Sequence, residues 1–131
     1  MGKGWIGVDL DGSLAVYTRD INGPDRIGEP IPKMLHRVKT WLAQGWDVRI
    51  FTARVHPDNC WRETSIKSIN DWCMKHLGRT LPITCSKDYM MVCLYDDRAV
   101  GLITNTGERA DGLEDIADFN YEPPPEPKEI V

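Results

Sequence analysis

Long apolar runs are missing from this 131-residue chain. No stretch approaches the roughly 20 consecutive apolar residues that a membrane-spanning helix needs. Residues 1–5 lead straight into the first apolar segment, without the apolar core of a signal peptide. The composition, 41% hydrophobic and 27% charged, is typical of a soluble globular protein. We therefore expect a cytoplasmic protein with no membrane partner.

The chain also lacks two other features: an excess of basic charge, and the cysteine spacing that is typical of metal sites. The net charge of −4 argues against broad affinity for nucleic acid, which would need a basic surface. The four cysteines show no Cys-x-x-Cys spacing, so we expect reduced thiols at Cys60, Cys73, Cys85 and Cys93. A zinc site that combines Cys73 and His76 with His56 and Cys60 is disfavoured because such spacing is generic.

Apolar segments alternate with helical patterns along the chain, which predicts a parallel sheet. After the strand that ends at Asp9, helices are expected from Pro32 to the Gly45 stop and up to Gly78. Further strands are predicted at residues 46–51, 81–85, 92–95 and 99–104, although the turn at residues 105–107 favours a hairpin as the alternative to the last one. A short helix is expected at residues 113–119. The tryptophans at helix or strand positions are better explained as core and sheet-covering residues than as a base-stacking platform: Trp41, Trp46, Trp61 and Trp72.

The predicted fold class is therefore α/β, a single Rossmann-like doubly wound domain with a mainly parallel sheet of about five strands and no large cap domain. This domain is expected to span residues 1–121. Residues 122–131 are rich in proline and are expected to form an extended, flexible tail.

Two carboxylates on alternate residues, Asp9 and Asp11, end the first apolar segment, and Gly12 follows them. Residues i and i+2 of a strand point the same way, so both carboxylates can serve one site. Two like charges that close together need a cation. The alternative is a solvated turn, in which the Asp side chains bond their own backbone.

Three later polar groups also come just after apolar segments: Thr52, Lys87 and the pair Asp96-Asp97. Ligands of open parallel sheets bind outside the carboxyl ends of the strands. The sequence thus brings a hydroxyl, an ammonium and four carboxylates to one edge of the sheet. Taken alone, Thr52 would be interpreted as a loop cap and Lys87 as a surface lysine.

The order of these motifs resembles that of the haloacid dehalogenase superfamily of phosphotransferases. Its four motifs match residues 9–13 (Asp-Leu-Asp-Gly-Ser), Thr52, Lys87 and the pair Asp96-Asp97, with Ser13 where many members have Thr. The resemblance spans about three quarters of the chain. It implies a Mg²⁺-dependent phosphatase that acts through an aspartyl-phosphate intermediate.

The resemblance also implies a role for each residue. Asp9 would be the nucleophile and Asp11 the general acid and base, while Thr52 would bond a phosphoryl oxygen and Lys87 would offset negative charge. The implied Mg²⁺ ligands are Asp9, the backbone carbonyl of Asp11, and one or both of Asp96 and Asp97. The implied substrate-binding residues are Gly12, Ser13, Thr52, Ala53, Arg54 and Arg98.

The triplets Thr52-Ala53-Arg54 and Asp96-Asp97-Arg98 also resemble the phosphatase domains of phage polynucleotide kinases. This resemblance implies a nucleotide or a nucleic-acid end as the phosphorylated substrate, although the acidic chain offers no evident strand-binding groove. Arg54 and Arg98, with Arg19 and Arg26, are expected either to hold phosphate or to be solvated loop charges.

The spacing between the motifs leaves no room for an inserted cap domain. The loop at residues 15–31 is long enough only for a flap. An open site suits a phosphate displayed on a large molecule, or a homo-oligomer in which a neighbouring chain supplies the lid.

Two other functions remain as alternatives. A signalling receiver domain also uses acidic residues, Thr, Lys and Mg²⁺, but its acidic pair belongs on the first strand and its lone phosphoacceptor on the third. Here the Asp-x-Asp motif comes first and the adjacent acidic pair comes after the Lys, so the motif order disfavours this function. The second alternative is a phosphate-binding module without turnover, which the complete set of acids disfavours.

Overall fold

The computed structural model describes residues 4–21 and 23–115. A parallel sheet forms the centre of this part of the chain, with four strands in the order β3-β2-β1-β4. The elements, in chain order, are β1 (Trp5–Asp9), α1 (Pro32–Ala43), β2 (Asp47–Phe51), a short 3₁₀ helix (Ala53–Val55), α2 (Arg62–Leu77), β3 (Ile83–Thr84) and β4 (Met91–Tyr95). The predicted α/β class with a parallel sheet and no large cap is confirmed.

Both helices pack on one face of the sheet. The register pairs Ile6 with Val48 and Val8 with Ile50, so these four side chains share a face. They form one buried cluster with apolar residues of α1 and α2, including Met34, Val38, Ile69 and Cys73. Successive right-handed crossovers that advance in one direction across a sheet leave their helices on the same side, which explains this arrangement.

The opposite face carries Trp5, which is almost fully buried. The Arg49 guanidinium lies 4.7 Å from the centre of its ring, and the indole N–H donates to Asp88 at 2.8 Å. Asp88 belongs to the short connection that returns from β3 to β4. This contact fixes the connection against β1 and so helps to set the position of β4.

The predicted fifth strand at residues 99–104 is wrong. In the described part of the chain this segment makes only a single antiparallel bridge, between Leu102 and Arg109. Backbone bonds from Ile103 to Glu108 and from Ala110 to Gly101 close a tight turn, which matches the hairpin alternative. The segment lacks a neighbouring strand to pair with, and an apolar pattern alone does not supply one.

Other expected elements differ in their bounds or fall outside the description. β3 is shorter than predicted. Residues 113–115 carry no helix, while the rest of the expected helix at 113–119, the 121/122 domain boundary and the tail at 122–131 lie outside the described residues. No helix within residues 4–21 and 23–115 is long and apolar enough to cross a membrane.

Candidate active site

Three carboxylates meet at the carboxyl edge of the sheet. Asp9 is the last residue of β1, and Asp96 and Asp97 follow β4 directly. Because Val8 pairs with Tyr95 in parallel register, both strands end at the same level. One oxygen from each of the three carboxylates lies within 4.8 Å of the others. The structure thus brings together the first and last acidic motifs, as their positions after strands predict.

The turn after β1 supports this acidic cluster. Gly12 has a φ of +89°, and a Cβ at this position would lie 2.5 Å from Oδ2 of Asp97. The Ser13 hydroxyl is 3.3 Å from Oδ2 of Asp9 and 3.4 Å from Oδ1 of Asp97. Glycine therefore allows Asp97 to approach the turn, while Ser13 offers its single proton to both carboxylates.

Burial and like charge act together on Asp9. Loss of solvent is the main cause that raises the pKa of Asp9 to about 8, followed by its hydrogen bond with Asp97 and by the negative charges of Asp96, Asp97 and Asp11. Without a cation, the cluster favours a shared proton. The donor set consists of carboxylate oxygens, which are the ligands that Mg²⁺ prefers, so the residues present fit this ion.

Asp11 does not join the cluster through its side chain. Its carboxylate accepts two bonds from Arg54, at 2.7 Å from Nε and 2.9 Å from a terminal nitrogen. Arg54 also donates to the backbone carbonyls of Gly23 and Arg26. Arg54 is thus partnered within the protein, and it joins Asp11 to the loop that follows β1.

Thr52 follows β2 at the same edge and is almost fully buried. Its hydroxyl oxygen accepts from the Arg54 backbone N–H at 3.2 Å and caps the short 3₁₀ helix. Its side chain also lines the cavity that contains Asp9. The structure therefore accommodates both interpretations of Thr52, the loop cap and the ligand of a phosphoryl oxygen.

A cavity of about 690 Å³ opens beside the acids. Asp9, Asp11, Thr52 and Asp96 line one part of it, and the predicted substrate residues Ala53, Arg54 and Arg98 also contribute to its wall. Arg98 follows the acidic pair, and its backbone N–H donates to Asp96 at 2.8 Å. The volume falls within the range of roughly 300–1,000 Å³ that is usual for small-molecule sites.

The loop at residues 15–31 forms the expected flap. Its base is closed by pairing of Ala15 with Pro30 and by a bond from Val16 to the Glu29 carbonyl, and the Trp72 indole of α2 donates to the Gly28 carbonyl. Its outer part reaches the cavity through Tyr17, Ile21, Gly23 and Pro24. Among the arginines expected to hold phosphate, Arg54 and Arg98 line the cavity, whereas Arg19 and Arg26 are exposed on the flap outside its lining.

Lys87 is not among the residues that line the cavity. It is exposed in the connection between β3 and β4 and forms no ion pair with a carboxylate of residues 4–21 and 23–115. Its charge-offsetting role therefore stays a prediction.

The cavity-wall residues that sequence reasoning missed include Tyr17, Trp61 and Ser65. Trp61 is half-buried at this wall and lies outside the main hydrophobic cluster of the described residues, so the core role predicted for it is wrong. Tyr17 and Ser65 carry no local signal beyond their residue type. Only the tertiary structure, which places the flap and the start of α2 at the same cavity, brings them together.

No protein-family model and no curated protein matches the chain. The chain is similar to a solved structure of a conserved protein from Bacteroides thetaiotaomicron, at 20% sequence identity and a TM-score of 0.51. The match covers 78% of this chain and 82% of the other. At this identity the likeness shows the fold alone, and it agrees with a single α/β domain.

Proposed function

We propose that this protein is a Mg²⁺-dependent phosphomonoesterase of the haloacid dehalogenase type, acting through an aspartyl-phosphate on Asp9. The observation that carries the proposal is the convergence of Asp9, Asp96 and Asp97 within 4.8 Å, at a cavity that Thr52 also lines. An acidic cluster that is open to a small-molecule cavity suits phosphoryl transfer, in which catalysis depends on positioning and charge neutralisation.

Asp9, Asp96 and Asp97 would hold Mg²⁺, with the backbone carbonyl of Asp11 as a further oxygen ligand. The raised pKa of Asp9 supports this assignment, because a bound cation would relieve the repulsion that favours the proton. When bound, Mg²⁺ neutralises charge on the phosphoryl oxygens and orients them. The bond-making and proton-transfer steps are carried out by side chains of the protein.

In the first step, a carboxylate oxygen of Asp9 bonds to phosphorus as the bond to the leaving oxygen breaks. Asp11 gives its proton to that oxygen, so an alcohol leaves. In the second step, water attacks the phosphorus and Asp11 takes one of its protons. The bond between Asp9 and phosphorus breaks, which releases phosphate and restores both carboxyl groups to their starting state.

The ion pair between Arg54 and Asp11 has a consequence for this mechanism. A carboxylate that accepts two bonds from a guanidinium cannot at the same time protonate a leaving group. Asp11 must therefore turn away from Arg54 when substrate enters. An incoming phosphate supplies Arg54 with a replacement anion, so substrate binding and release of Asp11 are expected to occur together.

The test measures phosphate release from an aryl phosphate by purified protein with Mg²⁺ or with a chelator. Wild-type activity should require Mg²⁺, and Asp9→Asn should lose about a thousandfold or more, since an amide is a poor nucleophile. The matched control is Asp47→Asn, which removes an exposed carboxylate of β2 outside the cavity wall.

The covalent intermediate is tested with an added alcohol that competes with water. If every substrate passes through the same aspartyl-phosphate, the ratio of transferred to hydrolysed phosphate will be the same for all leaving groups. A ratio that varies with the leaving group, or full activity of Asp9→Asn in contamination-controlled preparations, would contradict the proposal.

A further inference from the structure

The cavity extends beyond the acids into a region between the flap and the start of α2. Tyr17 lines it from the flap, while Trp61 and Ser65 line it from the α2 segment. We call these three residues the ring subsite. A phosphoryl group fills only a small part of a cavity of about 690 Å³, so the remaining space is large enough for a substantial leaving group.

Two buried hydroxyl groups of the ring subsite have no partner. Ser65 is only 1% exposed, and neither its Oγ nor the Oη of Tyr17 has a hydrogen-bond partner among the described residues. Buried polar atoms are nearly always bonded, so two orphans in one cavity wall need an explanation. A ligand with polar edges would satisfy both.

The apolar part of this wall is aromatic. Tyr17 and Trp61 line it, and Phe51 adds a third aromatic residue at the end of β2. Aromatic walls favour a planar partner, through stacked or tilted ring contacts. A flat ring that also carries hydrogen-bonding groups at its edge matches the rings and the hydroxyl groups together, which is the chemistry of a nucleobase.

The charge of the cavity wall favours a mononucleotide over a longer nucleic acid as the ligand. The cavity wall carries Asp9, Asp11, Asp58 and Asp96, against only Arg54 and Arg98 among its permanently charged cations. One phosphate can be held here with a divalent cation. Additional phosphates of a polymer would meet an acidic rim, which disfavours them.

We infer that the ring subsite binds the base of a nucleoside monophosphate, whose phosphate reaches Asp9. This inference rests on the proposed phosphatase function and names its substrate class. The hydroxyl groups of Ser65 and Tyr17 bond the edge of the base, and Trp61 packs against its ring. All three residues act on substrate choice and not on the reacting phosphate.

The experiment compares kcat/KM for 5′- and 3′-monophosphates of uridine and guanosine with that for glycerol phosphate, which lacks a ring. Nucleotides should be preferred by about 100-fold, and Ser65→Ala and Tyr17→Phe should each lower that preference about tenfold. Ser68→Ala is the matched control, because its hydroxyl donates to the Thr64 carbonyl on the same helix. The control should keep the wild-type preference.

Binding of the free nucleosides uridine and guanosine, measured by titration calorimetry, gives a readout that needs no turnover. The wild type should bind at least one nucleoside, and Ser65→Ala and Tyr17→Phe should each weaken that binding about tenfold. Because each variant removes one hydroxyl group without adding volume, circular dichroism is expected to show intact folds. If one variant is unfolded, nucleoside binding by the other variant tests the ring subsite.

The outcomes separate the two proposals. One outcome is that the wild type binds nucleosides and both variants weaken this binding, but no substrate releases phosphate. That outcome would overturn the phosphatase function and support the ring subsite. Equal rates with glycerol phosphate and nucleotides, and no nucleoside binding, would overturn the ring subsite and leave the phosphatase intact. Phosphocholine and a terminally phosphorylated oligonucleotide are assayed as two further substrates. Preference for phosphocholine would overturn the planar ring, and preference for the oligonucleotide would overturn the mononucleotide.

Discussion

Arg54 and Asp11 form a partly buried ion pair with two hydrogen bonds, and their side chains are 14% and 24% exposed. The same guanidinium bonds the carbonyls of Gly23 and Arg26 on the flap. One side chain therefore links the proposed general acid to the cover of the cavity. An anion that binds Arg54 therefore acts on Asp11 and on the flap at the same time.

Arg54→Ala is expected to loosen the flap and to destabilise the protein by about 1–3 kcal/mol, because Asp11 and two carbonyls each lose a charged donor. Limited trypsin digestion measures the first effect, since cleavage after Arg26 should accelerate. Arg109→Ala is the control, because Arg109 bonds Asp111 through two nitrogens away from the cavity. Unchanged cleavage at Arg26 in Arg54→Ala would contradict the link to the flap.

Gly12→Ala is expected to weaken Mg²⁺ binding by about 10- to 100-fold, because its Cβ would push Asp97 away from the cluster. The variant also acquires backbone strain of about 1–3 kcal/mol from its positive φ. Gly45→Ala isolates that strain, since Gly45 has a φ of +87° and open space around its Cβ position. Calorimetric titration with Mg²⁺ should show a loss in Gly12→Ala alone. Equal affinities in the two variants would exclude the contact with Asp97.

Asp11→Asn is expected to damage hydrolysis of alkyl phosphates more than that of aryl phosphates. An alkoxide is a poor leaving group and needs the proton, whereas a phenolate leaves readily without it. Single-turnover rates of the first chemical step should differ between the two substrate classes by about tenfold or more. Equal losses would assign Asp11 to positioning and not to acid catalysis.

The raised pKa of Asp9 predicts how the stability of the metal-free protein depends on pH. The ordinary value is 3.8 and the folded value is about 8, so the folded state keeps a proton that the unfolded state loses between these values. The free energy of unfolding should therefore fall as pH rises through this window and level off above it. Asp9→Asn should lack this part of the slope.

Mg²⁺ should reverse that trend, because binding displaces the proton from the carboxylate cluster. The increase in melting temperature caused by Mg²⁺ is expected to grow from about pH 5 to about pH 8. Thermal unfolding with and without a chelator measures it. A shift that is independent of pH would mean that Mg²⁺ binds away from Asp9.

Much of the fold and part of the site could be predicted from local signals. Asp9 ends one apolar strand, and Thr52 and Asp96 each follow another. Parallel strands place their carboxyl ends at one edge, so the proximity of these residues follows from sequence order. The helix from Pro32 and the end of α2 before Gly78 likewise depend on local backbone preferences. These features need no knowledge of distant contacts.

Other features depended on contacts between distant parts of the chain. The apolar segment at residues 99–104 is not a strand of the sheet, because a strand needs a partner for its backbone groups and local propensity does not provide one. Arg54 and Asp11 are 43 positions apart, and only the fold of the flap brings them into contact. Ser65 has the pattern of an ordinary helix residue until tertiary packing buries its hydroxyl in the cavity wall. The sequence by itself determined which chemical groups stand at the strand ends. The tertiary structure decided which of them are paired, buried or left without a partner, because those states are set by neighbours far away in the chain.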